Sequence, residues 1–391
     1  MRSRRSTGTL AVVLAAVTLV VAGCASQGPA SRPAPSAAPA PSVSPTVDPI
    51  AARAHSVLDA MTLEQRVASM LMLHTPGTDP AVLRSFVDTV QPGGFILMGD
   101  NMPGLAALPQ VTDSISPDAS LPLLIGIDEE GGEVQRIDED AFAGADTLKS
   151  LPPAETRAAF SGRAAMLRAA GCSVNFGIVA DETADPDSFI FGRALGTTPE
   201  DASARVAQAV LGEHGTVLST LKHFPGHGAA PGDSHSSLPS TPMSAEEWAS
   251  SAALPFQAGI DAGAEFVMFG HLAYTSVDSA PASLSAIWHR MLRDQLGFDG
   301  VSITDDMLML QHSGIAEFQN PSENAIRAVL AGNTMLLYDL AGDPAVSGVD
   351  PTVLVSDLAQ AVRSGRIPAQ LVDDAVLKLL TLRIEIGAAR R

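Results

Sequence analysis

From Asp48 onward, short apolar runs rich in β-branched residues alternate with longer amphipathic stretches. Eight runs have the length and composition of buried strands: residues 70–74, 94–98, 121–128, 173–179, 217–223, 265–271, 300–305 and 334–338. Between them lie helical patterns, among them 154–170, 199–213, 244–262, 286–296 and 322–331, with a closing helix over 370–386. Most carry apolar residues at three-and-four spacing. Thr62 with Gln65 forms a capping box for an opening helix. Eight strands, each followed by a helix, predict a parallel (β/α)8 barrel of the TIM type, for which roughly 340 residues is an ordinary length. A doubly wound open sheet is the alternative, although no glycine-rich dinucleotide fingerprint follows the first strand.

The chain has 391 residues, and its start is built differently. Arg2, Arg4 and Arg5 precede an apolar run over 10–22, then Gly23 and Cys24, the layout of a secretory signal. The run is short for a bilayer span. Val21-Ala22-Gly23-Cys24 resembles the bacterial lipoprotein box, in which cleavage before the cysteine exposes it for lipid attachment. The expectation is a lipoprotein signal over 1–23, a Pro/Ala/Ser-rich tether over 24–48 and a folded domain over 49–391, anchored through Cys24 to the extracytoplasmic face of the cell membrane. Cys172 is the only other cysteine, so the mature domain has no internal disulfide to draw on.

Charge narrows the partners. The net charge is −19, and three units more negative once the leader's arginines are gone, which repels nucleic acid and argues against a polybasic membrane patch. Lys149, Lys222 and Lys378 are the only lysines, so a lysine inside a motif is informative.

Polar residues cluster at the predicted strand ends: Asp128, Lys222, His223, His271 and Asp305. In a barrel those ends converge on one face. The sharpest run is Leu221-Lys222-His223-Phe224-Pro225-Gly226-His227-Gly228, with Asp233-Ser234-His235 four residues on. A lysine ammonium presents three rotatable donors that suit sugar hydroxyls. In an extended loop, Asp233 and His235 are spaced so that the carboxylate orients the imidazole for proton transfer. His223 and His227 would suit zinc if helical, but Pro225 and Gly226 lie between them, and neither metal nor cofactor is expected. Asp128 heads the run Asp128-Glu129-Glu130-Gly131-Gly132-Glu133-Val134-Gln135-Arg136, where a strand-end carboxylate can accept from two hydroxyls while the glycines admit a ligand to the backbone. In Ile303-Thr304-Asp305-Asp306-Met307, Asp305 can be held under a sugar ring to attack the anomeric carbon, with Asp306 turned away by strand alternation. Taken alone, such an aspartate pair more often caps the next helix.

Together these runs resemble glycoside hydrolase family 3, most closely its bacterial β-N-acetylhexosaminidase branch, over the whole domain from Leu63. The resemblance implies a retaining exo-β-N-acetylglucosaminidase working through a covalent glycosyl-enzyme, with Asp305 as nucleophile, His235 as acid/base and Asp233 orienting it. It implies sugar-binding roles for Asp128, Arg136, Arg193 in Phe191-Gly192-Arg193-Ala194, Lys222, His223 and His271. Its expected substrates are N-acetylglucosamine-containing glycans or muropeptides from the cell wall. The chain departs from the family pattern at Glu133, where a basic residue is common, and at Ala229 and Ala230, where polar residues are. No second αβα domain is expected after the barrel. Two rival readings remain: a β-N-acetylglucosaminide phosphorylase, since a histidine acid/base does not repel phosphate, and a lipoprotein that binds sugars or muropeptides without cleaving them.

Overall fold

The computed structural model describes residues 48–389; the leader, Cys24 and most of the tether lie outside them. Eight strands, β1 (Leu71–Leu73), β2 (Gly94–Leu97), β3 (Leu124–Ile127), β4 (Val174–Val179), β5 (Leu218–Phe224), β6 (Phe266–Phe269), β7 (Val301–Asp306) and β8 (Met335–Tyr338), close into a barrel in sequence order. Every neighbouring pair is parallel, and β1 closes the ring against β8 with Leu71 opposite Leu336. All eight predicted runs become these strands, so the open-sheet alternative falls.

Side-chain alternation sorts the strand residues into two sets. Met72, Ile96, Leu124, Val174, Phe176, Phe266, Met268, Val301, Ile303, Met335 and Leu337 pack together as the barrel interior. The closing helix Ala369–Ala389 contributes Leu379 to that cluster. It is pinned beneath the barrel by Arg383, whose guanidinium donates to the carbonyls of Leu121 and Pro122, and by Lys378, which donates to those of Asp299 and Gly300. The interior is therefore a filled core, and chemistry is confined to the mouth.

The helices follow the pattern with one correction. The predicted 244–262 helix is two, Ala245–Ala249 and Ala253–Asp261. Pro255 has no N–H and is tolerated only in a first turn, so the helix must restart just before it. Pro49–Ala60, Pro80–Val90 and Pro351–Arg363 were not singled out by apolar spacing, yet each begins at an Asp-Pro pair whose aspartate caps the first turn. The Thr62–Gln65 capping box is present.

Outward-facing Asn175 on β4 stitches the strand to its surroundings. Its amide nitrogen donates to Glu213 Oε1 at 2.6 Å and to the Glu129 carbonyl at 3.1 Å, while its oxygen accepts the Glu129 N–H at 3.2 Å. Glu213 is wholly buried, and burial pushes its carboxyl up to about 8 against the opposing pull of Asn175 and Ser219. Glu129 is likewise raised to about 8 by burial. An unfolded glutamate titrates near 4.3, so between roughly pH 4 and 8 the unfolded chain has lost a proton that the fold retains, and stability falls as pH rises. The melting temperature should therefore decline from pH 5 to pH 8. Glu213→Gln, which keeps the acceptor for Asn175, should reduce that slope; an unchanged slope in scanning calorimetry would refute the assignment.

Candidate active site

At the barrel mouth, alternation carries charged residues onto the inward face, among them Asp128 after Leu124 and Gly126, Lys222 after Leu218 and Thr220, and Asp305 after Val301 and Ile303. The Lys222 ammonium, with its side chain 3% exposed, is shared between Asp128 Oδ1 at 2.8 Å and Glu130 Oε1 at 2.7 Å. Arg193 clamps Glu130 with two bonds, Nε at 3.0 Å and Nη2 at 2.7 Å. Arg136 approaches the second oxygen of Asp128 at 3.4 Å. Burial alone would raise the Asp128 carboxyl, but Lys222, Arg136 and Arg193 outweigh it and hold it at about 2. Burial is overcome in the same way at Glu130, by Lys222 and Arg193. Both carboxylates stay ionised acceptors, and the arginine forks stay donors, the complement that vicinal sugar hydroxyls need.

This network rests on a pinned turn. Glu129 Oε2 accepts from the backbone of Arg136 at 2.9 Å and of Ile137 at 3.1 Å. Gly131 lies in the left-handed region with φ +79°, and a Cβ there would stand 2.0 Å from the Arg163 guanidinium, itself in a wholly buried pair with Asp140. The Arg193 loop is held from the other side: Lys149 donates to the Phe191 carbonyl at 2.5 Å and lies over that ring. After β5, the Trp248 indole donates to the Pro225 carbonyl and Tyr274 to that of Gly226, both at 2.8 Å, so the turn following Lys222-His223 is nailed to an aromatic cluster.

His223 also reaches the mouth. Its Nδ1 meets Asp181 Oδ2 at 2.7 Å and its Nε2 lies 3.4 Å from Arg193 Nη2. Asp181 is wholly buried and accepts the backbone N–H groups of both His223 and His227. Burial would raise the Asp305 carboxyl, but His223 and His271 outweigh it, so it lies below the ordinary range and is an anion at neutral pH. Asp306 is turned away as alternation requires: its Oδ1 accepts the N–H groups of Leu308 at 3.1 Å and Asp339 at 3.0 Å, and burial pushes it up to about 8. Of the pair, Asp306 alone accepts the first N–H of the following helix, Leu308–His312, whose N-cap position is Met307.

The dyad forms, on exposed ground. Asp233 Oδ1 accepts from His235 Nδ1 at 2.7 Å and from its backbone at 2.9 Å, with the side chains 41% and 61% exposed. His271 is different from expectation. Both its ring nitrogens are taken, Nδ1 by Ser283 at 2.7 Å and Nε2 by the Asp306 carbonyl at 3.0 Å, so it braces the segment carrying Asp305 and has no donor spare for a sugar. His223 lies on β5 and His227 on the short turn His227–Ala229, with rings 6.0 Å apart, so the two do not form a helical pair.

The glycosyl hydrolase family 3 N-terminal domain matches residues 62–382. The chain belongs to this family. A β-hexosaminidase of Nitrosospira multiformis is 33% identical over 302 residues, covering 73% of this chain and 84% of that protein. The β-hexosaminidase LpqI of Mycobacterium tuberculosis is 28% identical over 391 residues, covering 96% of this chain and 97% of that protein. Among solved structures, a family 3 β-N-acetylglucosaminidase from Paenibacillus sp. superposes with a TM-score of 0.76 at 30% identity, over 84% of this chain and 63% of that one.

Within this family 3 barrel, strand-end logic missed two residues that the network uses. Asp181 stands two positions beyond β4, the same signal that marked Asp128, and Glu130 lies inside a run already singled out. Of the departures, the Glu133 carboxylate lies against Gly192, where a Cβ would come within 2.3 Å of it, while Ala229 closes the His227 turn and Ala230 is buried. Lys222→Met would leave Asp128 and Glu130 buried around a missing cation. The expected loss is about 3–5 kcal/mol of stability in denaturant unfolding; an unchanged midpoint would mean that the ammonium does not hold the two carboxylates together.

Proposed function

We propose that the chain is a retaining exo-β-N-acetylglucosaminidase that releases terminal β-linked N-acetylglucosamine from cell-wall-derived glycans at the outer face of the membrane, anchored there through Cys24. That it is a glycoside hydrolase of the β-N-acetylhexosaminidase type follows from its family and from the named relatives. The observation that carries the mechanistic reading is Asp305 at the inward-facing end of β7, in a mouth that also holds the clamp of Asp128, Lys222, Glu130 and Arg193.

In this reading the clamp grips the hydroxyls of the terminal sugar, and a carboxylate oxygen of Asp305 attacks the anomeric carbon. The glycosidic C–O bond breaks as its electron pair passes to the leaving oxygen, which takes the Nε2 proton of His235. A glycosyl ester on Asp305 results. Water then gives a proton to His235 while its oxygen attacks the same carbon, the ester bond breaks, and Asp305 is restored. Asp233 keeps the imidazole in the Nδ1–H tautomer, so that Nε2 is the nitrogen that exchanges protons.

A second reading keeps the same first step and replaces water with phosphate. It is favoured by an acid/base that is a histidine, which does not repel phosphate as a carboxylate would. Adding phosphate to a turnover assay and looking for sugar 1-phosphate separates the two.

Asp305→Ala should abolish turnover of a chromogenic N-acetylglucosaminide, by at least about a thousandfold, with folding intact; undiminished turnover sinks the assignment. His235→Ala should lose more activity on a disaccharide than on a nitrophenyl glycoside, whose leaving group needs little protonation. Tight sugar binding with no product on long incubation of the parent enzyme would instead favour a binding lipoprotein.

A further inference from the structure

The Asp233-Ser234-His235 loop has an unusual profile. Its two outer side chains are substantially exposed, whereas Ser234 between them is 3% exposed. The loop's internal bonds, from Ser236 and Ser237 to the Asp233 carbonyl, shape the turn without fastening it to the barrel. The fastening is made by Ser234, whose Oγ lies 3.1 Å from His227 Nε2. Phe189 adds a second contact, its ring 5.5 Å from that of His235 and 5.7 Å from that of His227.

His227 is itself rigidly placed. It is 2% exposed, and its backbone N–H donates to Asp181 Oδ1 at 2.5 Å, while the other oxygen of Asp181 holds His223. The turn it begins is pressed against the chain: a Cβ on Gly228 would stand 1.9 Å from the Glu182 carbonyl, so only glycine fits. Burial lowers the His227 imidazole below its ordinary range, which keeps it neutral with a single N–H. Its Nδ1 is buried without a partner among the described residues. A buried acceptor is less costly to leave unpaired than a buried donor, which places the proton on Nε2, donating to Ser234.

We propose that His227 is the positioning residue for the acid/base, its Nε2–H bond to Ser234 seating the dyad loop on the barrel so that His235 is presented to the mouth where Asp305 lies. Asp181 then fixes both halves of the site, His223 beside the nucleophile and His227 beneath the loop. The inference rests on the reading of His235 as proton donor given above.

The test compares Ser234→Ala, Ser234→Thr and His235→Ala on p-nitrophenyl N-acetylglucosaminide and on the unactivated disaccharide N,N′-diacetylchitobiose. Ser234→Ala should lower kcat/KM on the disaccharide about tenfold more than on the nitrophenyl glycoside, because only the former depends on a well-placed proton. Ser234→Thr, which keeps the hydroxyl, should recover most of the difference. Melting temperatures of the variants should stay close to that of the parent, since the loop is peripheral to the core. If His235→Ala discriminates between the substrates and Ser234→Ala does not, the latch is wrong and the acid/base reading stands. If His235→Ala fails to discriminate, the acid/base reading fails and takes the latch with it.

Discussion

The ammonium of Lys222, shared by Asp128 and Glu130, is the contact around which the mouth of the barrel is organised. Two carboxylates buried side by side repel each other and each pays for leaving water, and neither cost is met without a cation between them. Lys222 supplies it from the end of β5, and Arg193 completes Glu130 with a two-bonded fork. The carboxylates and cations are then mutually satisfied yet keep lone pairs and donors turned to the mouth. Arrangements of this kind add little to stability beyond what a hydrophobic replacement would give, and their value lies in holding ionised groups at fixed positions.

The elements around that contact serve to hold it still. The pinned Glu129 turn, the Lys149 hold on Phe191, and the Trp248 and Tyr274 bonds to the Pro225-Gly226 turn each fix a loop that delivers one member of the site. The interior of the barrel is filled by apolar side chains and plugged from below, so among the described residues the charged groups on the inward parity of the strands stand at their C-terminal ends. Asp181 joins the rigid part to the less rigid part. One of its oxygens belongs to the His223 side and the other to the His227 side. Asp305 thus sits on a strand held by its neighbours, whereas the Asp233–His235 pair sits on a loop that depends on a few contacts.

The barrel, its eight strands and the parity of Asp128, Lys222, Asp305 and Asp306 were all legible along the chain, because a buried strand must be apolar and alternate side chains must face opposite ways. The Asp233–His235 pair was legible in the same local terms, since it needs only two residues of separation, whereas helix starts such as Asp79-Pro80 escaped the apolar spacing. The roles of Glu130 and Asp181, and the seat of Ser234 on His227, were not legible. Each acquires its meaning from a partner 63, 42 or 7 residues away, brought within bonding distance by barrel closure or by a loop folding back. His271 shows the limit most clearly. A histidine at a strand end is chemically free to bind a sugar, and it is the packing of Ser283 and the Asp306 carbonyl against its two nitrogens that commits it to bracing instead. Local pattern settles which way a side chain points, since that is geometry of one strand. What it meets there depends on how eight strands close, and that is a property of the whole fold.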